Sequence, residues 1–349
     1  MTRLTQALDL VRIDSVSGRE SAIADFVVER LSTNPRLDVE RVGDNVVART
    51  TGSHSTRLIV AGHLDTVPGD PAQARIEADA LIGLGACDMK GSLSVMLDLA
   101  CVDAPHRVEL TWVFYAREEI ARTESGLREL FELRPDLVQG DVAVLGEPTG
   151  GAVEVGCQGT MRASVTMAGI RAHTARPFMG VNAIHRLGAV LARVASYVPR
   201  VVAIGGVVFT EQMQVVMVDG GVAGNVVPDD ARGVINYRFA PDRSASEAEA
   251  ALRDFLAPVV EPTDAIEIQD WAPAAAPDLD APWLASLASL SGADARAKVG
   301  WTDVATFQEF GVPAVNFGAG DPLLAHHPDE RVTEGELEQF ERVLAAWIG

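Results

Sequence analysis

Arg57-Leu58-Ile59-Val60-Ala61-Gly62-His63-Leu64-Asp65 is the stretch on which the fold turns, an apolar run that ends in an imidazole and a carboxylate. A run without polar alternation reads as a strand buried on both faces, the habit of a parallel sheet covered by helices. The flanking sequence agrees. Residues 5–11 and 23–31 have helical spacing, 108–115 and 142–145 read as strands, and 89–101 and 124–133 read as helices between them. This alternation predicts an α/β fold with a mixed, mostly parallel sheet. Sites in such sheets form beyond the carboxyl ends of the strands. His63, the pair Glu118-Glu119, and Glu147 each lie just past the end of one of these strands, so three strands bring acid or imidazole to one edge.

From about residue 159 the order becomes strand 161–167, helix 181–196, strands 214–219 and 232–239, helix 245–255 and strand 266–269. That is the ferredoxin-like split βαβ order, an α+β unit. After Ala272-Pro273-Ala274-Ala275-Ala276-Pro277 the α/β alternation resumes. The expected division is therefore a catalytic domain from 1–158 and 271–349, with 159–270 inserted into it. Asn225-Val226-Val227-Pro228-Asp229-Asp230 reads as a turn between two central strands of the insert.

Composition narrows the partners. The chain has 349 residues, enough for about two domains, and its 48% apolar and 22% charged content is that of a globular protein. Against 29 Lys and Arg stand 49 Asp and Glu, and the charge of −20 repels nucleic-acid phosphates and anionic lipid surfaces. Neither nucleic acid nor membrane is an expected partner. The opening residues lack the apolar stretch of a signal peptide. The longest apolar run, 201–209, is broken by glycines and falls short of the roughly 20 residues of a spanning helix. Cys87, Cys101 and Cys157 form an odd set without paired spacing, which suits reduced thiols and a cytoplasmic location.

The residue types past the strand ends point to metal chemistry. Asp65 can reach back to the second ring nitrogen of His63, as carboxylates commonly do behind a ligating imidazole. Asp88 sits in Gly85-Ala86-Cys87-Asp88-Met89-Lys90-Gly91, where it could ligate or cap the following helix. Glu118 and Glu119 repel one another unless a cation or a shared proton separates them. Glu147 ends an apolar strand before Pro148, and the tandem His326-His327 stands near the carboxyl terminus. Carboxylate and imidazole without cysteine suit zinc, and His63, Asp88, Glu119, Glu147 and His326 exceed what one tetrahedral ion needs. Two ions sharing a carboxylate is the economical reading.

Gly62-His63-Leu64-Asp65-Thr66-Val67-Pro68, the Asp88 string above, Glu118-Glu119, Gly146-Glu147-Pro148-Thr149 and Ala325-His326-His327-Pro328-Asp329-Glu330 together resemble the two-zinc deacylase and exopeptidase family. That family includes succinyl-diaminopimelate desuccinylases, acetylornithine deacetylases, aminoacylases and glutamate carboxypeptidases, and the likeness spans nearly the whole chain. It implies a metal-dependent hydrolase of linear amides with two Zn2+ per subunit, Asp88 bridging them and Co2+ able to substitute. It pairs His63 with Glu147 on one ion and Glu119 with His326 on the other. Relatives place the last ligand four residues before the acid that is here Glu330, which selects His326 over His327. Glu118 becomes the general base and Asp65 the orienter of His63. Ile120 stands where Gly often follows the paired acids, which speaks against a general dipeptidase.

Arg171-Ala172-His173-Thr174-Ala175-Arg176, Gly220-Gly221-Val222-Ala223-Gly224-Asn225-Val226-Val227-Pro228, Asn236-Tyr237-Arg238-Phe239-Ala240-Pro241-Asp242 and Gly300-Trp301-Thr302-Asp303 resemble the desuccinylase branch of actinobacterial type. This implies a small N-acyl amino acid substrate and a homodimer formed through 159–270, with that insert as the lid. A substrate bearing several carboxylates needs fixed guanidinium groups, for which Arg238 and Arg176 are the candidates. Within the resemblance Asn225 is a further substrate contact and His173 an oxyanion donor. His54, His106 and His185 match nothing in the pattern and read as ordinary.

Overall fold

The computed structural model describes residues 2–102 and 106–349. The chain divides into two compact units, one of Met1–Gly156, Pro277–Lys298 and Thr302–Gly349, the other of Cys157–Ala276 and Val299–Trp301. The borders of the insert fall at 157 and 276 rather than at 159 and 270. Cys157 N donates to Ala275 O at 3.1 Å and Ala275 N to Cys157 O at 3.0 Å, which clips the two chain crossings together inside the second unit.

The first unit is built on an eight-stranded sheet in the order Leu37–Val42, Asn45–Thr50, Glu109–Tyr115, Arg57–His63, Val142–Leu145, Ala314–Asn316, Glu154–Cys157, Arg296–Lys298. Its centre is parallel: Arg57–His63 pairs in parallel with both Glu109–Tyr115 and Val142–Leu145, and Ala314–Asn316 in parallel with Val142–Leu145. Antiparallel pairs flank it, so the sheet is mixed and mostly parallel at its core, as expected. Leu58 to His63 and all of Glu109–Tyr115 are buried, which explains the unbroken apolar run 58–62 and the predominance of apolar residues in 109–115.

The register aligns the carboxyl ends. His63 lies beside Tyr115, and Ala61 beside Leu145, so the loops leaving three strands start at one edge. The glycines before His63 and Glu147 pack closely against Met89. A Cβ on Gly62 would sit 2.5 Å from Met89 Cε, and one on Gly146 2.7 Å from the same atom.

Helical boundaries tighten at the site. The helical reading 89–101 becomes Gly91–Cys101, because Asp88 (φ −120°, ψ 90°) and Met89 (φ −133°, ψ 27°) form a non-helical turn ahead of it. The cap position of this helix is Lys90, so Asp88 is free of the capping role. No helix among the described residues is long and apolar enough to cross a membrane.

The second unit has a four-stranded antiparallel sheet in the order Gln212–Gly220, Asp230–Phe239, Gly159–Ala168, Ala265–Ala272, with helices Ala183–Ala195 and Ala245–Leu256. Met161, Val165, Leu187, Val190, Ile235, Phe239, Leu252 and Leu256 form its core. Ser244 and Glu247 close a capping box on the second helix. The apolar run 201–209 is a hairpin of Val201–Ile204 and Val207–Thr210, turned at Gly205 and Gly206 with φ of +55° and +83°. The segment expected as a turn at 225–230 holds a short strand, Val226–Val227, paired with Ala172–His173.

Candidate metal centre

The aligned strand ends place the predicted ligands together. His63 Nε2 stands 3.0 Å from Asp88 Oδ1 and 3.9 Å from Glu147 Oε1. His326 Nε2 stands 2.7 Å from Glu119 Oε1 and 3.6 Å from Asp88 Oδ2. Asp88 therefore faces one imidazole with each oxygen. Ligand atoms of His63, Asp88 and Glu119 lie within 4.8 Å of one another. His327 points elsewhere, toward Asp329 at 3.8 Å.

His63 Nδ1 lies 3.0 Å from the Asp65 carbonyl and 3.5 Å from its carboxylate. A carbonyl only accepts, so Nδ1 carries a hydrogen, and Nε2 is the nitrogen turned toward the Asp88 carboxylate. The Asp65 carboxylate makes its short bonds to others: it accepts from Ser17 Oγ at 2.7 Å, Glu118 N at 3.0 Å and Glu119 N at 3.1 Å. Asp65 thus steadies the imidazole mainly through its backbone and the acid pair through its side chain.

The electrostatics are those of a site short of positive charge. Burial, then repulsion from Asp88, pushes Glu147 up to about 7. Burial, then repulsion from Glu147, raises Glu118 well above the usual carboxylate range, although Glu118 keeps partial exposure. Burial works against charge on His63, but Asp65 and Asp88 outweigh it and raise this imidazole well above its ordinary value. Burial would also raise Asp65, yet its bonds to His63 and Ser17 bring it down to about 2.

Residues 59–349 match the model of peptidase family M20/M25/M40. The chain belongs to that family. It is 46% identical over 346 residues to a Mycobacterium tuberculosis protein provisionally named succinyl-diaminopimelate desuccinylase DapE, covering 97% of this chain and 96% of that one. It is 39% identical over 354 residues to the succinyl-diaminopimelate desuccinylase of Corynebacterium glutamicum, covering 99% and 95%. A Staphylococcus aureus tripeptidase shares the fold, with a TM-score of 0.81 at 22% identity over 99% of this chain and 97% of that one.

Membership of the M20 family makes the chain a metal-dependent hydrolase, and the residues present fit metal ions. Glu147 Oε1 is buried without a hydrogen-bond partner, and repulsion from Asp88 adds to burial in raising the Glu147 carboxyl. Each is a cost that a divalent cation removes. His63 Nε2 is within 3.9 Å of both Asp88 and Glu147, and His326 Nε2 within 3.6 Å of both Asp88 and Glu119.

Sequence reasoning missed the supports. Glu330, used there only to count spacing, is buried and accepts from Cys87 N and Asp88 N at 3.0 Å each. Burial, only partly offset by these amides, pushes its carboxyl up to about 7. Lys298 is buried, donates to Pro148 O at 3.3 Å and pairs with Glu154 at 3.0 Å. Burial opposes its charge, but Glu147 and Glu154 raise its pKa, so it stays cationic behind Glu147.

The substrate candidates all lie in the second unit, in two places. Ala172–His173 pairs with Val226–Val227, and Thr174 N donates to Asn225 O at 3.1 Å, which joins His173 and Asn225. Arg176 N donates to His173 O at 2.8 Å and completes this loop cluster. Arg238 is elsewhere, near the far end of Asp230–Phe239, where its Nε donates to Asn236 Oδ1 at 3.1 Å. Arg238 stands eight steps along the strand from Asp230, about 26 Å at roughly 3.3 Å per residue.

Proposed function

We propose that this chain is a zinc-dependent succinyl-diaminopimelate desuccinylase of the cytoplasm, which hydrolyses N-succinyl-LL-2,6-diaminopimelate to succinate and LL-2,6-diaminopimelate. The observation that carries the chemistry is Asp88 standing between His63 and His326, with the nearby Glu118 carboxyl raised by burial and by Glu147. The substrate reading is supported by relatives 39–46% identical over nearly the whole chain that are named for this activity.

Two zinc ions, or cobalt in their place, would be held by His63 with Glu147 and by Glu119 with His326, Asp88 serving both. When bound, such ions polarise the scissile carbonyl and acidify water. Glu118 takes the proton of the attacking water, for which a carboxyl of raised pKa is suited at neutral pH, and returns it to the leaving amine nitrogen. Arg238 would bind a substrate carboxylate. Burial lowers its pKa, and its Nε bonds a neutral amide, which leaves the guanidinium available to an anion.

The second unit would be the dimerisation lid. Gln212–Gly220 is an end strand of its sheet, and Val216, Met217 and Val218 on it are exposed. An apolar open edge is a template for a second chain. His173, Arg176 and Asn225 would then serve the partner's site.

Steady-state kinetics on N-succinyl-LL-2,6-diaminopimelate and N-acetylornithine test the assignment. The succinyl substrate is expected to have a kcat/KM higher by at least roughly 100-fold, the order a missing charged contact costs. A preference for the acetyl substrate would make the enzyme an acetylornithine deacetylase.

A further inference from the structure

The segment Ser15-Val16-Ser17-Gly18-Arg19-Glu20 has no part in the chemistry above, yet it runs beside the turn that carries the paired acids. Thr66 N donates to Ser15 O at 3.0 Å, Ser15 Oγ to Leu64 O at 2.7 Å, and Ser17 Oγ to Asp65 Oδ2 at 2.7 Å. These bonds lock the segment to the loop behind His63.

Glu20 ends it, fully buried. Its Oε1 accepts the N–H of Gly18 at 2.9 Å and of Arg117 at 3.0 Å, while Oε2 is buried without a hydrogen-bond partner. A buried carboxylate with one idle oxygen and Asp65 for a neighbour is unfavourable by itself, and burial accordingly raises its pKa. Such an arrangement persists only where the surrounding structure depends on the bonds it does make.

The dependent group is Arg117, whose φ of +61° lies in the left-handed region that residues with a Cβ avoid. Three successive amides here meet two buried carboxylates: Arg117 N goes to Glu20, Glu118 N to Asp65 Oδ1 and Glu119 N to Asp65 Oδ2. The Arg117 guanidinium fastens the same turn to Glu124 O at 2.7 Å and Glu129 at 2.6 Å. The left-handed residue is what reverses the chain straight after the strand Glu109–Tyr115 and sends Glu118 and Glu119 toward His63 and His326.

We propose that Glu20 is a positioning residue: by accepting the Arg117 N–H it holds the left-handed turn that aims both Glu118 and Glu119 into the metal centre. The proposal rests on the roles given above to those two acids. It makes Glu20 act through geometry, so the acceptor oxygen matters and the charge does not.

The full-length, zinc-loaded protein tests it in three variants, each with kcat, KM, zinc affinity and amide hydrogen exchange measured. Glu20→Asp keeps the charge but withdraws the acceptor by one bond length. It should lose roughly 10- to 100-fold in kcat, the scale of a small misplacement, with KM nearly unchanged, weaker zinc binding and faster exchange at Arg117. Glu20→Gln keeps the acceptor and should retain wild-type values. Glycine adopts a positive φ freely, so Glu20→Asp/Arg117→Gly should regain kcat, and it carries the test should Glu20→Asp alone not fold. A folded Glu20→Asp with wild-type kcat and exchange, a Glu20→Gln as impaired as Glu20→Asp, or a double variant without recovery would overturn the proposal. If the wild-type protein hydrolyses no amide, the reading of the site fails instead, and the exchange and zinc arms still decide the role of Glu20.

Discussion

His326 Nε2 lies 2.7 Å from Glu119 Oε1, two residues 207 positions apart in the chain that meet on one side of Asp88. This hydrogen bond, against some burial, raises the imidazole to about 9. Without metal, His326 therefore holds a proton at neutral pH on the nitrogen a metal would take. His63 is raised in the same direction, and Glu147 is close to half-protonated with a value of about 7. Zinc uptake at pH 7 must displace these protons. Calorimetric titrations in two buffers of different ionisation enthalpy should show release of more than one proton per chain, and apparent affinity should rise with pH up to about 9. Proton-neutral uptake would contradict the ligand set.

Glu118 lies next to Glu119 but is assigned a different task, and substitution separates the two. Glu118→Gln preserves the shape and the Asp65-bonded backbone while removing the proton acceptor. It should retain zinc and lose kcat by on the order of 10²-fold or more. Glu119→Gln should instead lose metal. A reversed pattern, with Glu118→Gln poor in zinc, would exchange their roles.

A purely structural anchor makes a stability prediction away from the site. Asp264 accepts from Ala168 N at 2.9 Å and Glu261 N at 2.8 Å, and binds Arg186 through both oxygens at 2.7 Å each. Burial would raise this carboxyl, but the amides and Arg186 lower it below the usual range. The unfolded state thus binds protons at higher pH than the folded one. The stabilisation is present above the ordinary Asp value near 4 and disappears as pH falls through the lower folded value. Asp264→Ala removes the acceptor of two backbone amides and leaves Arg186 with Ala168 O at 2.7 Å and Glu261 at 3.1 Å, and should cost on the order of 1–3 kcal/mol in denaturant unfolding at pH 7. That difference should shrink toward pH 3.

The strands that deliver ligands were legible because burial on both faces imposes an unbroken apolar run, as in 57–62 and 142–145. The edge strand Leu37–Val42 was not, since its partly exposed face leaves neither a continuous run nor a clean alternation. His63 and Glu147 could be singled out because each ends an apolar strand, Asp88 because glycines flank its loop, Glu119 as half of an acid pair past a strand, and His326 from a tandem pair settled by the family spacing. Glu20, Glu330 and Lys298 could not. Glu20 and Glu330 lie in loops and Lys298 ends the short strand Arg296–Lys298, and what marks all three is burial among backbone amides and carbonyls, a property that exists only after the chain has folded. Asp65 was legible as a partner of His63, but not its bonds to the Glu118 and Glu119 amides, because these depend on the Arg117 turn.

Arg238 tests the specificity assignment. Its strand pairs on both sides, with Gln212 and with Thr160, so the backbone is held independently of the side chain. Arg238→Ala should raise KM for the succinylated dicarboxylate by roughly 10- to 100-fold through loss of a bidentate anion contact, with little change in Tm. Arg238→Lys should recover only part of it, because an ammonium cannot make the planar fork. Unchanged kinetics in a stable Arg238→Ala would remove the residue from the substrate site.

His173 decides whether the site is completed across a dimer. Its Nδ1 accepts the Ala175 N–H at 3.0 Å, so the neutral ring carries its hydrogen on Nε2, on an exposed residue suited to donate to a developing oxyanion. Such a donor is worth roughly 10²–10³ in kcat, so His173→Ala should be nearly inactive with its zinc retained. Glu118→Gln should be inactive for a separate reason. If His173 serves the partner's site, a heterodimer of the two variants contains one site with both groups intact, and mixing should restore activity toward half that of the wild-type dimer per heterodimer formed. If His173 serves its own chain, every site in the heterodimer lacks either the donor or the base, and mixing restores nothing. Subunit exchange followed by native mass spectrometry establishes that the heterodimer is present. Activity that stays absent once it is present would place His173 outside the partner's site, and the homodimer would then owe nothing to catalysis.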